Sequence, residues 1–319
     1  MKLVIQIPCY NEEKTLPTVL QELPKHIEGI DEIEVVIIDD GSTDNTVKVA
    51  QSYGVKHFAH LSPNRGLARA FVAGLEKSLE IGADIIVNTD ADNQYSCNDI
   101  EKLIRPILYE EADIVIGTRP VEKIKHFSPI KKILQKFGSK VMRIISSTNV
   151  EDAPSGFRAF SRNAALQLNV FDNYTYTLET IIQARAKGLQ LACLPINVNP
   201  DLRKSRLVKS IFDYIKRSIF TMLRMFIVYR PFRFFISLAA ISLFLGIVTG
   251  TRFLWFYFTG AGNGHIQSLI LASILLLAGI QVGLIAVLAE LIAINRKLIE
   301  DVQKRIKLLD LKNNQDVIE

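Results

Sequence analysis

Ile85-Ile86-Val87-Asn88-Thr89-Asp90-Ala91-Asp92-Asn93-Gln94 is a short apolar run that breaks into a pair of acidic side chains. A continuous β-rich run bounded by polar residues is what a strand buried on both faces of a parallel sheet looks like. Three other stretches share the pattern. Leu3–Ile7 runs into Pro8-Cys9-Tyr10-Asn11-Glu12, Ile33–Ile38 into Asp39-Asp40-Gly41-Ser42, and Ile114–Gly117 into Thr118-Arg119. Between them, Glu12–Lys25, Thr43–Tyr53, Gly66–Ile81 and Asn98–Glu110 carry helical periodicity. Strand–helix alternation predicts an α/β fold with a mostly parallel sheet. Ligands in such sheets sit outside the carboxyl ends of the strands. The four polar clusters are therefore expected to converge on one pocket.

The acidic pair carries the chemistry. Two carboxylates one residue apart on a turn reach a single cation, and Gln94 adds a neutral oxygen. Hard oxygen donors that leave positions open suit Mg²⁺ or Mn²⁺ bridging to substrate phosphates. Asp-x-Asp alone is a weak pattern, because a solvated turn explains most occurrences; the strand before it and the three companion clusters favour the metal. Asp39 and Asp40 form a second acidic turn, where a carboxylate commonly accepts hydrogen bonds from a ribose or a base edge. Ser42 or Thr43 can cap the helix that follows. Neither G-x-G-x-x-G nor G-x-x-x-x-G-K-[ST] occurs, so neither a dinucleotide-binding fold nor a P-loop is supported.

The 319 residues hold 38 Lys and Arg against 33 Asp and Glu, a net charge of +5, and are 49% hydrophobic. Such a chain can bury a core and is not disordered. A mean hydropathy of +0.20 points to a bilayer segment. Phe234–Thr251 is 18 residues without a charge and Ile266–Ala289 is 24, against the roughly 20 that cross a bilayer. Two spans are expected, about 232–257 and 266–294, joined as a hairpin by the Gly-rich Thr259–His265. Arg217, Arg224, Arg230 and Arg233 precede the first span; Arg296, Lys297, Lys304, Arg305 and Lys307 follow the second. Positive flanks stay inside, so both termini of this integral inner (cytoplasmic) membrane protein are expected in the cytoplasm. Arg203–Arg230 alternates basic side chains with Leu207, Ile211, Ile215, Ile219, Met222 and Phe226, as in a helix lying in the headgroup plane. Lys123–Arg143 is a second basic stretch.

The organisation expected is a catalytic domain over 1–202, amphipathic interfacial helices over 203–231, the two spans over 232–294, and a cytoplasmic helix or tail over 295–319. Mixed periodicity in the tail suits a surface helix or a homo-oligomer. The basic residues gather on the membrane side and no zinc-finger or helix-turn-helix pattern is present, which argues against nucleic acid as a partner. Cys9, Cys97 and Cys193 lack disulfide or zinc spacing and read as reduced thiols. The apolar run at the N-terminus is too short for a signal peptide.

Ile7-Pro8-Cys9-Tyr10-Asn11-Glu12, Asp39-Asp40-Gly41-Ser42, Asp90-Ala91-Asp92-Asn93-Gln94 and Ser155-Gly156-Phe157-Arg158, in that order, resemble the family 2 glycosyltransferases of GT-A fold. Within them the resemblance is to the dolichyl-phosphate mannose synthase and bactoprenyl-phosphate glucosyltransferase group, over roughly residues 1–230. It implies a Rossmann-like, mostly parallel GT-A domain and a metal-dependent, inverting hexosyl transfer from a UDP- or GDP-linked sugar to a polyprenyl phosphate. By the same resemblance Pro8, Tyr10, Asn11, Glu12, Asp39 and Asp40 hold the nucleotide's base and ribose. Asp90, Ala91, Asp92 and Gln94 form the metal and diphosphate site, and Arg119 lies near the phosphates. Asp152 faces the acceptor as base or orienting group, with Ser155, Arg158 and Arg203 on the acceptor phosphate. Tyr95 departs from the family, where many relatives carry His. Other readings are a glycolipid or protein acceptor, or a non-catalytic scaffold that keeps the fold. A processive synthase is disfavoured by the missing Q-x-x-R-W motif.

Overall fold

The structure, a computed structural model, describes residues 1–120, 150–170, 176–200, 220, 223–224, 226–260 and 262–316. Most of the expected interfacial stretch 203–231, with Arg203, and the whole basic stretch 123–143 lie outside the described residues. Two compact units are present, Met1–Met222 with Gln303–Glu319, and Leu223–Val302.

In the first unit the strands are β1 (Lys2–Cys9), β2 (Glu32–Asp39), β3 (His57–His60), β4 (Ile85–Asn88), β5 (Ile114–Thr118), β6 (Arg158–Ser161) and β7 (Leu191–Pro195). They form one sheet in the order β3-β2-β1-β4-β6-β5-β7. Every pairing is parallel except those of β6, which runs against both β4 and β5. The four anticipated strands are present. β3, β6 and β7 are additional, each only four or five residues long.

Side chains alternate across the sheet. Leu3, Ile5, Ile7, Val87 and Val115 face a core completed by Leu16 and Val19 of α1 (Leu16–Glu22) and by Leu103 and Ile104 of α4 (Ile100–Leu108). The opposite face receives α3 (Leu67–Glu80), which follows the short α2 (Thr46–Ser52). α3 comes so close that a Cβ on Gly74 would stand 2.6 Å from Gln6 Oε1 and 2.9 Å from Ile38 Cδ1. Helices thus cover both faces, which is what lets the strands be apolar throughout. α5 (Arg162–Gln167) and α6 (Thr177–Ala186) complete the unit. α1 is shorter than the periodicity of Glu12–Lys25 suggests. Its start is delayed by Asn11, held at φ 56°, and by a turn in which Thr15 N donates to Glu12 O at 3.2 Å. Its end is set by Leu23, extended before Pro24.

The second unit contains α7 (Pro231–Phe258) and most of α8 (Ile266–Asp316). Both are long and apolar enough to cross a membrane. They pack as a hairpin through small residues. A Cβ on Gly246 would lie 2.9 Å from Leu276, one on Gly279 would lie 2.6 Å from Leu243, and Ser242 Oγ donates to Leu275 O at 2.8 Å. Glycine at such positions lets backbones approach where no hydrophobic drive exists between helices. The helix of the second span runs on through the expected start of the C-terminal helix or tail at 295. No Gly or Pro follows Gly283, and α8 continues as one helix of 51 residues, about 76 Å at 1.5 Å per residue.

Candidate active site

The parallel strands β1, β2, β4 and β5 end at the same edge of the sheet. Cys9 pairs with Asp39, and Gln6 with Asn88. β6, being antiparallel, begins at that edge: Arg158 lies opposite Asn88 on one side and Ile116 on the other. The segments after β1, β2, β4 and β5 and the segment before β6 are therefore neighbours.

The first two segments are bonded into one wall. Asn11 N donates to Ser42 Oγ at 3.0 Å, and Asn11 Oδ1 accepts from Thr43 N at 2.7 Å. Glu12 N donates to Thr46 Oγ1 at 2.8 Å, and its buried carboxylate accepts from Thr15 Oγ1 at 2.6 Å. Asp39 Oδ1 accepts from Ser42 N at 2.9 Å, while Asp39 Oδ2 lies 3.4 Å from His60 Nδ1. Asp40 turns both oxygens to the loop before α3, accepting from Arg65 N at 2.7 Å and Gly66 N at 2.9 Å. Gly41, at φ 77°, passes under that loop; a Cβ there would stand 3.0 Å from Asn64 N. Tyr10 is exposed beside this wall and Pro8 half-buried at its base. Asp40 is thus part of the wall's frame. His60 and the Arg65–Gly66 amides join the wall from sequence that carries no motif.

Asp90, Asp92 and Gln94 occupy the half-buried turn after β4, with Ala91 and Asn93 buried between them. Asn93 takes φ 58°, and Asp92 Oδ1 accepts from Gln94 N at 3.3 Å. Among the described residues no third Asp, Glu, His or Cys gathers with these two carboxylates. Two carboxylates and an amide oxygen, all hard donors, fit Mg²⁺ or Mn²⁺ that fills its other positions with water and phosphate oxygens. They do not fit a closed structural zinc site.

Asp152 is wholly buried and is gripped by Arg119. Nε donates to Oδ2 at 2.7 Å, Nη2 to Oδ1 at 3.0 Å, and the Arg119 backbone N to Oδ2 at 3.2 Å. Burial works against the Arg119 charge, but Tyr95, Asp152 and Asp90 outweigh it and push its pKa up. Asp152 is expected from the sequence to face the acceptor; the structure makes it the anchor of Arg119.

Two more of the expected residues lie in the interior. Arg158, expected on the acceptor phosphate, points into the protein and is wholly buried. Its guanidinium donates to the carbonyls of Ser155 (2.8 Å), Thr177 (2.8 Å) and Ala153 (2.7 Å) and to Thr180 Oγ1 (2.6 Å). A fork so engaged ties the 153–155 segment to α6. Ser155 is equally buried, and its Oγ has no hydrogen-bond partner among the described residues. Gly156 is what the segment offers the site. A Cβ there would stand 3.2 and 3.3 Å from the two Asp90 oxygens.

Glycosyl transferase family 2 matches residues 4–168, just over half of the chain. The UDP-N-acetylglucosamine–dolichyl-phosphate N-acetylglucosaminyltransferase of Methanococcus voltae is 33% identical over 216 residues, which are 60% of this chain and 82% of that protein. The undecaprenyl-phosphate mannosyltransferase of Micrococcus luteus is 28% identical over 218 residues, 65% of this chain and 88% of that one. Among solved structures, glucosyl-3-phosphoglycerate synthase from Mycobacterium tuberculosis is similar, with a TM-score of 0.56 at 19% identity. That structure was determined with Mn²⁺, UDP-glucose and phosphoglyceric acid, and the likeness covers 70% of this chain and 79% of that one. At that identity it speaks to the fold alone, and the mostly parallel GT-A-like architecture expected from the sequence is the one observed.

Proposed function

This chain belongs to glycosyl transferase family 2, and on that footing we propose that it moves a sugar from a nucleotide-sugar to a polyprenyl phosphate, with inversion, at the cytoplasmic face of a membrane. The observation that carries the reading is the meeting, at one sheet edge, of the 8–12 and 39–42 wall, the Asp90–Gln94 turn and the Arg119–Asp152 pair. The names of the two relatives above supply the acceptor class, and two helices able to cross a membrane agree with a lipid substrate.

In this reading Pro8, Tyr10 and Glu12 receive the base and ribose with Asp39, and Asp40 keeps the wall in shape. Asp90, Asp92 and Gln94 hold the divalent cation, which when bound offsets charge gathering on the leaving diphosphate. Arg119, held charged and aimed by Asp152, adds a fixed cation. An oxygen of the lipid phosphate forms the new bond to the anomeric carbon as the bond to the nucleoside diphosphate breaks on the opposite side. The departing diphosphate keeps the electron pair. A phosphate monoester has its second pKa near about 6 and is mostly dianionic at neutral pH, so it attacks without a base. Asp152 then has a positioning duty, in keeping with both its oxygens being occupied.

The test is a donor panel. The detergent-solubilised full chain, Mg²⁺ or Mn²⁺ and one polyprenyl phosphate are mixed with UDP- and GDP-linked sugars in turn. A lipid-linked sugar of inverted anomeric configuration is expected from one donor. No lipid product from any donor, or product only on a glycolipid, would overturn the reading.

A further inference from the structure

The Asp90 carboxylate does not rest on its own turn alone. Gly156 lies against it so closely that a Cβ there would press on both its oxygens, at 3.2 and 3.3 Å, and on Tyr176 OH at 3.1 Å. Gly156 is itself fixed through both of its peptide groups. Its N–H donates to Tyr95 OH at 3.0 Å. Its carbonyl accepts from Asn88 Nδ2 at 2.9 Å and from Tyr176 OH at 3.1 Å. Asn88 Nδ2 also donates to Tyr176 OH at 2.8 Å, and Asn88 Oδ1 accepts from Gln6 Nε2 at 2.8 Å. Gln6, Asn88, Tyr95 and Tyr176 are all buried. Both phenol rings are stacked, Tyr95 on Phe157 at 5.2 Å and Tyr176 on Phe71 at 3.8 Å, so neither hydroxyl swings. Burial raises the pKa of each phenol, and the charge on Asp90 raises it further.

We infer that Tyr95 and Tyr176 are positioning residues for the metal-binding carboxylate: one phenol on each side of the Gly156 backbone clamps it against Asp90 and fixes how that carboxylate meets the cation. The inference rests on the reading of Asp90 as a metal ligand. The Gly156 N–H and carbonyl and the Asn88 amide have their partners within this buried network, while Gln6 Oε1 at its edge has none among the described residues, and opening a link leaves a buried group unpaired. Removing the Tyr95 hydroxyl orphans Gly156 N–H; removing that of Tyr176 takes one of two donors from Gly156 O and a partner from Asn88. Neither change touches a carboxylate. Groups that orient metal ligands are worth about 10–100-fold in metal affinity.

The experiment follows Mn²⁺ binding to the detergent-solubilised full chain by loss of the free-ion EPR signal, with and without UDP, beside the thermal midpoint of each variant. The parent is expected to bind and Asp90→Ala to lose binding. Tyr95→Phe is expected to weaken Mn²⁺ by about 10-fold or more, with a changed spectrum of the bound ion. Tyr176→Phe is expected to act in the same direction, and it carries the test if Tyr95→Phe does not fold. Parental Mn²⁺ affinity and spectrum in both phenylalanine variants, with Asp90→Ala defective, would overturn the inference and leave the metal reading intact. A parent that takes up no Mn²⁺, or an Asp90→Ala variant that binds as the parent does, would overturn the metal reading and the inference with it.

Discussion

Arg119 meets Asp152 fork to fork in a place nearly closed to water, the carboxylate wholly buried and the Arg119 side chain 12% exposed. Breaking such a pair from one side leaves an uncompensated charge and costs about 3–5 kcal/mol, whereas replacing both partners by apolar residues is often neutral. Asp152→Asn should therefore lower the thermal midpoint by several degrees. Arg119→Met with Asp152→Leu should regain most of the midpoint but no sugar transfer. A fully active double variant would show that the pair serves the fold alone.

Asp92 sits half-buried on the turn, away from the core. Asp92→Asn should leave the midpoint within a degree or two. It should reduce turnover by about 100-fold or more, since stabilising leaving-group charge supplies several kcal/mol and each 1.36 kcal/mol is a factor of ten. Isothermal titration of Mn²⁺ with UDP should show the same loss. Parental turnover would remove Asp92 from the metal site.

For Arg158 the two roles separate cleanly. Arg158→Met removes the charged donor from the Ser155, Thr177 and Ala153 carbonyls and from Thr180 Oγ1, and buried hydrogen bonds to a charged group are worth about 1.5–3 kcal/mol each. A large loss of stability is expected, with the KM for polyprenyl phosphate in the folded fraction close to parental. A stable variant with a raised acceptor KM would return Arg158 to the substrate.

Burial pushes the Tyr95 phenol from an ordinary value of 10 up to about 12. A group whose neutral form is favoured by folding gives stability that is complete below the unfolded pKa and lost as pH rises through the folded one. Stability should hold to about pH 10 and then fall, by about 2 kcal/mol for this group on reaching pH 12. Thermal midpoints between pH 8 and 11 should therefore drop more steeply for the parent than for Tyr95→Phe. Parallel curves would contradict it.

The hairpin gives a prediction from packing. A Cβ at 279 falls 2.6 Å from Leu243 Cγ, and the backbones cannot separate without losing the contacts that join them. Gly279→Leu should lower the midpoint of the detergent-solubilised chain, while Gly264→Leu, in the open turn, should not. Equal midpoints would mean that α7 and α8 do not pack at these residues.

The parts of the fold that the sequence exposes are those where one local signal suffices. Leu3–Ile7 and Ile85–Asn88 are buried on both faces, so their composition alone marks them, and the polar cluster after each marks the site edge. β6 escaped that logic. Arg158-Ala159-Phe160-Ser161 has polar ends, only four residues and a direction set by its neighbours β4 and β5. Arg158 shows the same limit: an arginine beside a site motif suggests a phosphate, whereas in the structure it is held by the nearby Ala153 and Ser155 carbonyls and by α6, nineteen to twenty-two residues further on. Tyr95 stood out as a departure from its relatives, but its meaning depends on Gly156, sixty-one residues away.

The reversal of β6 also joins two distant stretches of sequence at one edge. Every residue proposed to meet the base and ribose lies before position 100, whereas 150–157 reaches the same edge, beside Arg119 and Asp90, only because one strand runs backwards. Sequence before position 120 and sequence after 150 thereby share one edge, and side chains of one are held by backbone of the other. Replacing residues 150–157 by a relative's segment should therefore alter Mn²⁺ and UDP binding as well as turnover; binding left at parental values would show that the two stretches act separately.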